Sequence, residues 1–224
     1  MWEKYKLLEE GGCEACSDKK INGVWRKGVK PKETKNMVHS LSYKRWNPLM
    51  VRTSGVYNNY PHYANVKVEA GMKDFNQFTE WYILQKGYGV KGYSLEKDIF
   101  SGGNYTFNDC VLVPSGLNMF VVETKESCSK YNGLPLGIYR HEKEYRASSY
   151  HPITKKKIRK SFKRLPDAML YWEGLKTSIS KIWLDHLIKY DYPIDNRVLD
   201  WLSDYNFKYS QEDWEKYSSP ILVL

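Results

Sequence analysis

Residues 137–190 read GIYRHEKEYRASSYHPITKKKIRKSFKRLPDAMLYWEGLKTSISKIWLDHLIKY. Three short segments, GIYRHEK, EYRASSYHP and KKKIRKSFKR, alternate large and polar residues, and the breaks between them are tight. That pattern predicts a three-strand antiparallel meander. Behind it, Pro166 and Asp167 suit a first helical turn. Met169, Tyr171, Trp172, Leu175, Ile179, Ile182, Trp183 and Leu187 then recur at the spacing of one apolar face, so a long amphipathic helix follows. A sheet backed by one helix buries one of its faces and leaves the other outward. The residues expected on that outward face are Arg140, Lys143, Arg146, Lys155, Lys157, Arg159 and Lys163.

Charge fits the same reading. The 224 residues carry a formal net charge of +9, and it is unevenly spread. Residues 134–189 hold 13 Lys and Arg against 5 Asp and Glu, whereas residues 190–224 hold 3 against 7. Concentrated positive charge beside abundant Tyr and Trp points to a polyanionic partner, most simply nucleic acid. The length affords a sizeable core. A run of about 18 apolar residues is absent, so no membrane span is expected, and MWEKYKLLEEGG lacks the apolar stretch of a secretory signal. Four cysteines, Cys13, Cys16, Cys110 and Cys128, then fit a reducing compartment, and the expected location is the cytoplasm. CEAC has the spacing of half a zinc site. Its second pair would be Cys110 and Cys128, too far apart for a closed structural site, and a structural zinc is not expected.

Upstream the texture differs. Residues 1–35 read as an arm with turns, and Asn22-Gly23 could close a hairpin. From Asn36 to Ser54 the apolar spacing is helical, with an interruption expected near Pro48. KDFNQFTEWYILQKGY puts Phe75, Phe78, Trp81, Tyr82 and Leu84 on one side of a second helix. GVKGYSLEKDI then reads as a strand, FSGGNYTFND as a loop, and DCVLVPSGLNMFVV as a short helix or a strand. Glu96, Lys97 and Asp98 sit together before the loop and Asp109 after it. Such a layout suits a divalent-cation site and equally a solvated hairpin. The acidic end is expected to form one more helix and an irregular tail.

The run YKRWNPLMVRTSGVYNNYPHYANVKV, continued by the LEKDI…GNYTFNDCVLVPSGLN block, resembles phage-type HNH endonucleases. Residues 134–190 look similar to the three-strand-plus-helix DNA-binding modules of plant ethylene-response factors and phage-integrase arms. The resemblance covers roughly residues 37–205. It implies an α+β protein: a ββα-metal HNH nuclease module at 36–133 behind an N-terminal arm at 1–35, a DNA-binding module at 134–190 made of a three-stranded antiparallel sheet packed on one helix, and an acidic helix and tail at 191–224. It also implies a phosphodiester hydrolase acting on double-stranded DNA with Mg²⁺ or Mn²⁺, as monomer or homodimer, of homing type. Carried over by position, Glu96, Asp98 and Asp109 are the metal ligands. Glu96, Lys97, Asp98, Asn104 and Asp109 are the catalytic set, and Asn118 is a DNA contact.

Two departures stand out. The acid opening the family's motif is aspartate, and Glu96 is one methylene longer. The family's general base is histidine, and residues 92–118 contain none. His39, His62 and His141 lie elsewhere in the chain. A lysine acts as base only if its pKa falls far below the ordinary ~10.4, so a carboxylate or a metal-bound hydroxide is the easier proton acceptor. Lys97 is then expected to contact the DNA backbone. The alternative is a DNA-binding protein without catalysis, with a weaker third reading as an RNA-binding module.

Overall fold

The computed structural model describes residues 19–21, 24–26, 41–55, 63–100, 103–122 and 133–218. The fold is α+β and divides into two compact units, Met1–Val113 and Pro114–Leu224. Cys13, Cys16, Cys128, His39 and His62 lie outside the described residues.

In the first unit, strands β1 (Lys19–Ile21) and β2 (Val24–Arg26) pair antiparallel with Ile21 opposite Val24, the spacing that Asn22-Gly23 called for. Helix α1 (Leu41–Thr53) contains Pro48 and continues through it, against the expected interruption. Proline costs a hydrogen bond and crowds the preceding turn. The turns around it bury Trp46, Leu49 and Met50, and burying each such side chain contributes about 1.5–3 kcal/mol, enough together to carry the helix past that cost. Trp46 Nε1 also donates to the carbonyl of Met72, at 3.0 Å. Met72 belongs to the short helix α2 (Ala70–Lys73). Helix α3 (Phe75–Ile83) starts at Asp74, whose carboxylate accepts from the backbone N–H groups of Asn76 and Gln77, satisfying donors that a helix start leaves orphaned. Phe78 and Tyr82 are buried as predicted, but Leu84 lies past the helix end and is 80% exposed. Strands β3 (Tyr93–Glu96) and β4 (Val111–Pro114) form a two-stranded sheet.

In the second unit, helix α4 (Ser115–Val122) follows β4 directly, so residues 110–122 supply a strand and then a helix rather than one of the two. Strands β5 (Ile138–His141), β6 (Glu144–Tyr150) and β7 (Lys157–Phe162) form the antiparallel meander, in the order β5-β6-β7. Helix α5 (Leu165–Lys189) packs on it with Pro166 in its first turn. Ile138, Ala147, Leu165, Ala168, Met169 and Trp172 make the core between sheet and helix. Gly137, at φ +77°, sits where an added Cβ would stand 2.1 Å from Trp172 Cε2. Both the backbone angle and the ring therefore demand glycine there.

The acidic end forms two helices, α6 (Asn196–Asp204) and α7 (Gln211–Ser218), rather than one and a tail. Ser210 explains the second. Its Oγ accepts from Asp213 N at 3.0 Å while the Asp213 carboxylate accepts from Ser210 N at 3.2 Å, a reciprocal cap. One charged side chain is part of this unit's interior. Lys176 is fully buried, donates to the carbonyl of Phe120 at 3.2 Å, and lies 3.9 Å from that residue's ring centroid, tying α5 to α4. No helix among the described residues is long and apolar enough to cross a membrane.

Candidate functional sites

The end of β3 delivers Glu96, Lys97 and Asp98 as the chain leaves the sheet. Glu96 is 2% exposed, and its Oε1 accepts from the backbone N–H groups of Lys97 at 2.9 Å and Asp98 at 2.5 Å. Burial pushes its carboxyl from 4.5 up to about 7, the two amides hold it down in part, and Asp98 raises it further. Lys97 Nζ pairs with Asp98 Oδ1 at 2.6 Å, and both side chains are nearly buried. The same ammonium lies 5.8 Å from the Tyr63 ring centroid and 5.6 Å from that of Tyr105, where ring quadrupoles attract it. Arg52, from the end of α1, donates to the Tyr63 hydroxyl at 3.3 Å and packs over its ring. Burial drives the Tyr105 phenol upward, Arg52 opposes the rise and Tyr63 adds to it.

Asp109 stands across the loop. It accepts from Thr106 Oγ1 at 2.7 Å, and its own N–H donates back to that oxygen at 3.0 Å. Cys110 next to it is buried, and burial pushes its thiol up to about 12, with Asp109 and Glu96 adding to the rise and Lys97 opposing it. Those three groups therefore act on one neighbourhood, and the thiol itself is inert as a nucleophile. Asn104 has a different place. Its Oδ1 accepts from Lys67 N at 2.9 Å, and Tyr105 beside it exchanges backbone bonds with residues 67 and 69 at 2.9 Å each. Asn104 pins the loop to the 67–69 segment and with it the ring of Tyr105.

The structure thus brings Glu96, Lys97 and Asp98 together, ties Asp109 to Thr106, and uses Asn104 as a staple. Among the described residues no group of three His, Cys, Asp or Glu side chains converges in a metal-ligating cluster. The carboxylates present fit a hard cation held by one or two acids, with water and phosphate completing its shell, as Mg²⁺ is commonly bound. They do not fit a closed three- or four-ligand cage. Arg52, Tyr63 and Tyr105 were missed from sequence. The YPHY run was the available signal for tyrosines at a site, but nothing local ties Arg52 to residues 97 and 105.

The second candidate surface is the open face of the meander. Register decides its membership, since cross-strand partners share a face. Ile138 pairs with Ala147 and both are buried, which fixes the helix side. Arg140, opposite Tyr145, and Lys160, opposite Ala147, therefore belong to the helix side at its margins. Arg140 lies over the Tyr145 ring and Lys160 over Tyr171. Of the expected outward set this corrects Arg140, and Lys160 was not part of it. The open face carries Tyr139, His141, Arg146, Tyr150, Lys157 and Arg159, while Lys143 and Lys155 lie in the turns flanking β6 and Lys163 in the bend after β7. Arg146 is held in place, its Nε donating to Ser161 Oγ at 3.1 Å and its Nη2 3.1 Å from His141 Nδ1. Lys157 Nζ lies 5.5 Å from the Tyr139 ring centroid. Asn118 lies on α4, half-buried. No family model, curated protein or solved structure matches the chain.

Proposed function

We propose that the chain is a divalent-cation-dependent DNA endonuclease of the HNH type, hydrolysing phosphodiester bonds at the Glu96–Lys97–Asp98 cluster and holding duplex DNA on the open face of the β5-β6-β7 sheet. The observation that carries the reading is the Glu96 carboxyl. A buried acid near 7, beside a second acid, Asp98, and a lysine, Lys97, is the kind of perturbed group that sites of proton transfer contain. A general base works best with its pKa near the working pH, and Glu96 is the group of this cluster suited to take the proton of an attacking water. Asp98 and Asp109 would hold the cation. Bound there, it supplies positive charge against the negative charge that develops on the phosphoryl oxygens. Lys97 and Arg52 add fixed positive charge beside the Tyr63 ring. Supercoiled plasmid is expected to be relaxed or linearised with Mg²⁺ or Mn²⁺ and left intact in EDTA; cutting that persists in EDTA removes the cation from the reading.

A second reading, DNA binding without catalysis, draws on the absence of a converging ligand cluster among the described residues. Plasmid that stays intact with either cation, under conditions where the protein binds it, selects this second reading.

Binding by the open face makes its own prediction. Each phosphate neutralised contributes about −0.9 to the slope of log affinity against log salt. Replacing Arg146, Lys157 and Arg159 by glutamine is expected to weaken duplex binding and flatten that slope by about 0.9 for each residue that touches a phosphate. The same change at Lys160, which faces the helix side, is expected to leave the slope within error. Anisotropy titrations between roughly 50 and 200 mM salt read both, and equal effects at the two sets would dismiss the register-based assignment.

A further inference from the structure

The second unit contains a cleft of about 200 Å³ lined by Gly116, Met119 and Phe120 of α4, Trp183 of α5, and Tyr150 and Lys155 around the β6–β7 turn. It is smaller than the roughly 300–1,000 Å³ that drug-sized ligands occupy, so it is scaled to a single ring system. Trp183 and Phe120 are nearly buried, while Tyr150 and Met119 are 54% and 58% exposed. Among the described residues, none that lines it is acidic. Lys155 Nζ lies 5.6 Å from the Trp183 ring centroid and stands 2.9 Å from where a Cβ on Gly116 would lie. Its backbone holds φ +58°, a conformation that costs a non-glycine residue free energy. Backbone bonds between His151 and residues 155 and 156, at 3.0 and 2.8 Å, maintain it.

Three features define what fits. Aromatic walls and a methionine accept a flat ring by stacking and dispersion. The lysine amine adds a contact for an anion attached to that ring. His151 Nδ1 accepts from the N–H groups of Ile153 and Thr154, at 3.2 and 3.3 Å, which leaves the proton of a neutral imidazole on Nε2, a donor on a residue lining the cleft. Position supplies the rest. Tyr150 pairs with Lys157 and so belongs to the open face, and it also lines the cleft. Tyr150 is thus the residue shared by the open face and the cleft, whose lining also includes the buried Ser149 of the helix side.

We propose that this cleft takes one unstacked nucleobase from nucleic acid held on the open face, with the adjoining phosphate on Lys155. The inference rests on the reading of that face as a DNA-binding surface. Extruding a base costs the energy of unstacking, least where the base is already unpaired, and stacking on aromatic side chains returns it. An already extrahelical base is therefore the form the cleft favours.

The test compares three labelled duplexes against the full chain by anisotropy: one fully paired, one with a single extrahelical adenine, and one with an abasic residue at the same bulge. The adenine bulge is expected to bind about tenfold tighter than the abasic bulge, which controls for the flexibility of bulged DNA. Gly116→Val, whose side chain enters the cleft between Lys155 and Trp183, should bring that ratio to one. Tyr150→Ser, at an exposed lining position, should do the same without disturbing a buried contact, and it keeps the test sound if the valine variant fails to fold. Equal binding of adenine and abasic bulges by the wild-type chain overturns the inference and leaves the DNA-binding face standing. Failure to bind even the fully paired duplex at low salt overturns both.

Discussion

Glu96→Gln is expected to remove cleavage and to make the protein more stable at pH 8. Glutamine keeps the acceptor oxygen for the two amides that hold Glu96 Oε1 but cannot take a proton from water. Loss of one general base typically costs about 10²–10⁴-fold in rate. The stability effect follows from the same carboxyl. Unfolded, it ionises near 4.5, and folded, near 7. Below pH 4.5 both states hold the proton and burial adds no penalty. As pH rises from 4.5 to 7 the unfolded chain releases its proton first, so stability falls across that window. Above about 7 the full cost is in place, on the order of 3 kcal/mol. Glutamine never ionises, and its advantage should be absent at pH 4, grow through pH 6 and level off by pH 8. Urea melts of both proteins in EDTA at the three values read it directly. A constant difference between them would exclude burial as the source of the raised pKa. In the cleavage assay, the wild-type rate should rise with pH through about 7.

Lys97→Ala is expected to be the costliest single change in the cluster for folding. It removes the partner 2.6 Å from Asp98 and the cation facing Tyr63 and Tyr105. Removing one member of a nearly buried pair leaves a charge in a poorly solvated place and costs about 3 kcal/mol or more. Asp98→Ala should cost less, because the two rings still receive the ammonium. The double variant should lie closer to wild type than Lys97→Ala alone, since no orphaned carboxylate remains. Denaturant melts of the three variants form the cycle, and additive losses would show that the pair carries no coupling. Activity separates roles further. If Lys97 neutralises phosphate, the residual rate of Lys97→Ala at saturating DNA should exceed that of Glu96→Gln. The reverse order would make the lysine the proton acceptor.

How far the sequence reached depended on how local each signal was. The meander and the long helix were legible because alternation and apolar spacing repeat within a few residues, and the structure has both. Glu96, Lys97 and Asp98 were legible as neighbours because they adjoin. Arg52, Tyr63 and Tyr105 were not, since their meeting with Lys97 depends on how α1 and the 67–69 segment pack against the loop. Pro48 misled because its local cost is visible in sequence while the burial of Trp46 and Leu49 is not. Of the outward basic set, Arg146, Lys157 and Arg159 fall on the open face and Arg140 does not, for a related reason. Alternation shows that a strand has two faces, but cross-strand register is needed to say that Arg146 and Arg140 fall on opposite ones. The last helix was missed although its signal, Ser210 and Asp213 three apart, was present in the chain.

Lys176 gives the second unit a built-in clock. Its amine is fully buried against Phe120 and Trp172, whereas Lys155, Lys157 and Lys160 are exposed. An amine-acylating reagent meets the surface lysines at once and this one only when α5 parts from α4. Once acylated, the residue can no longer place an ammonium over the Phe120 ring, so each opening event is recorded irreversibly in the mass of a single peptide. The acylation rate of that peptide, followed by mass spectrometry against its surface neighbours, measures how often the folded unit breathes, with no probe introduced into the chain.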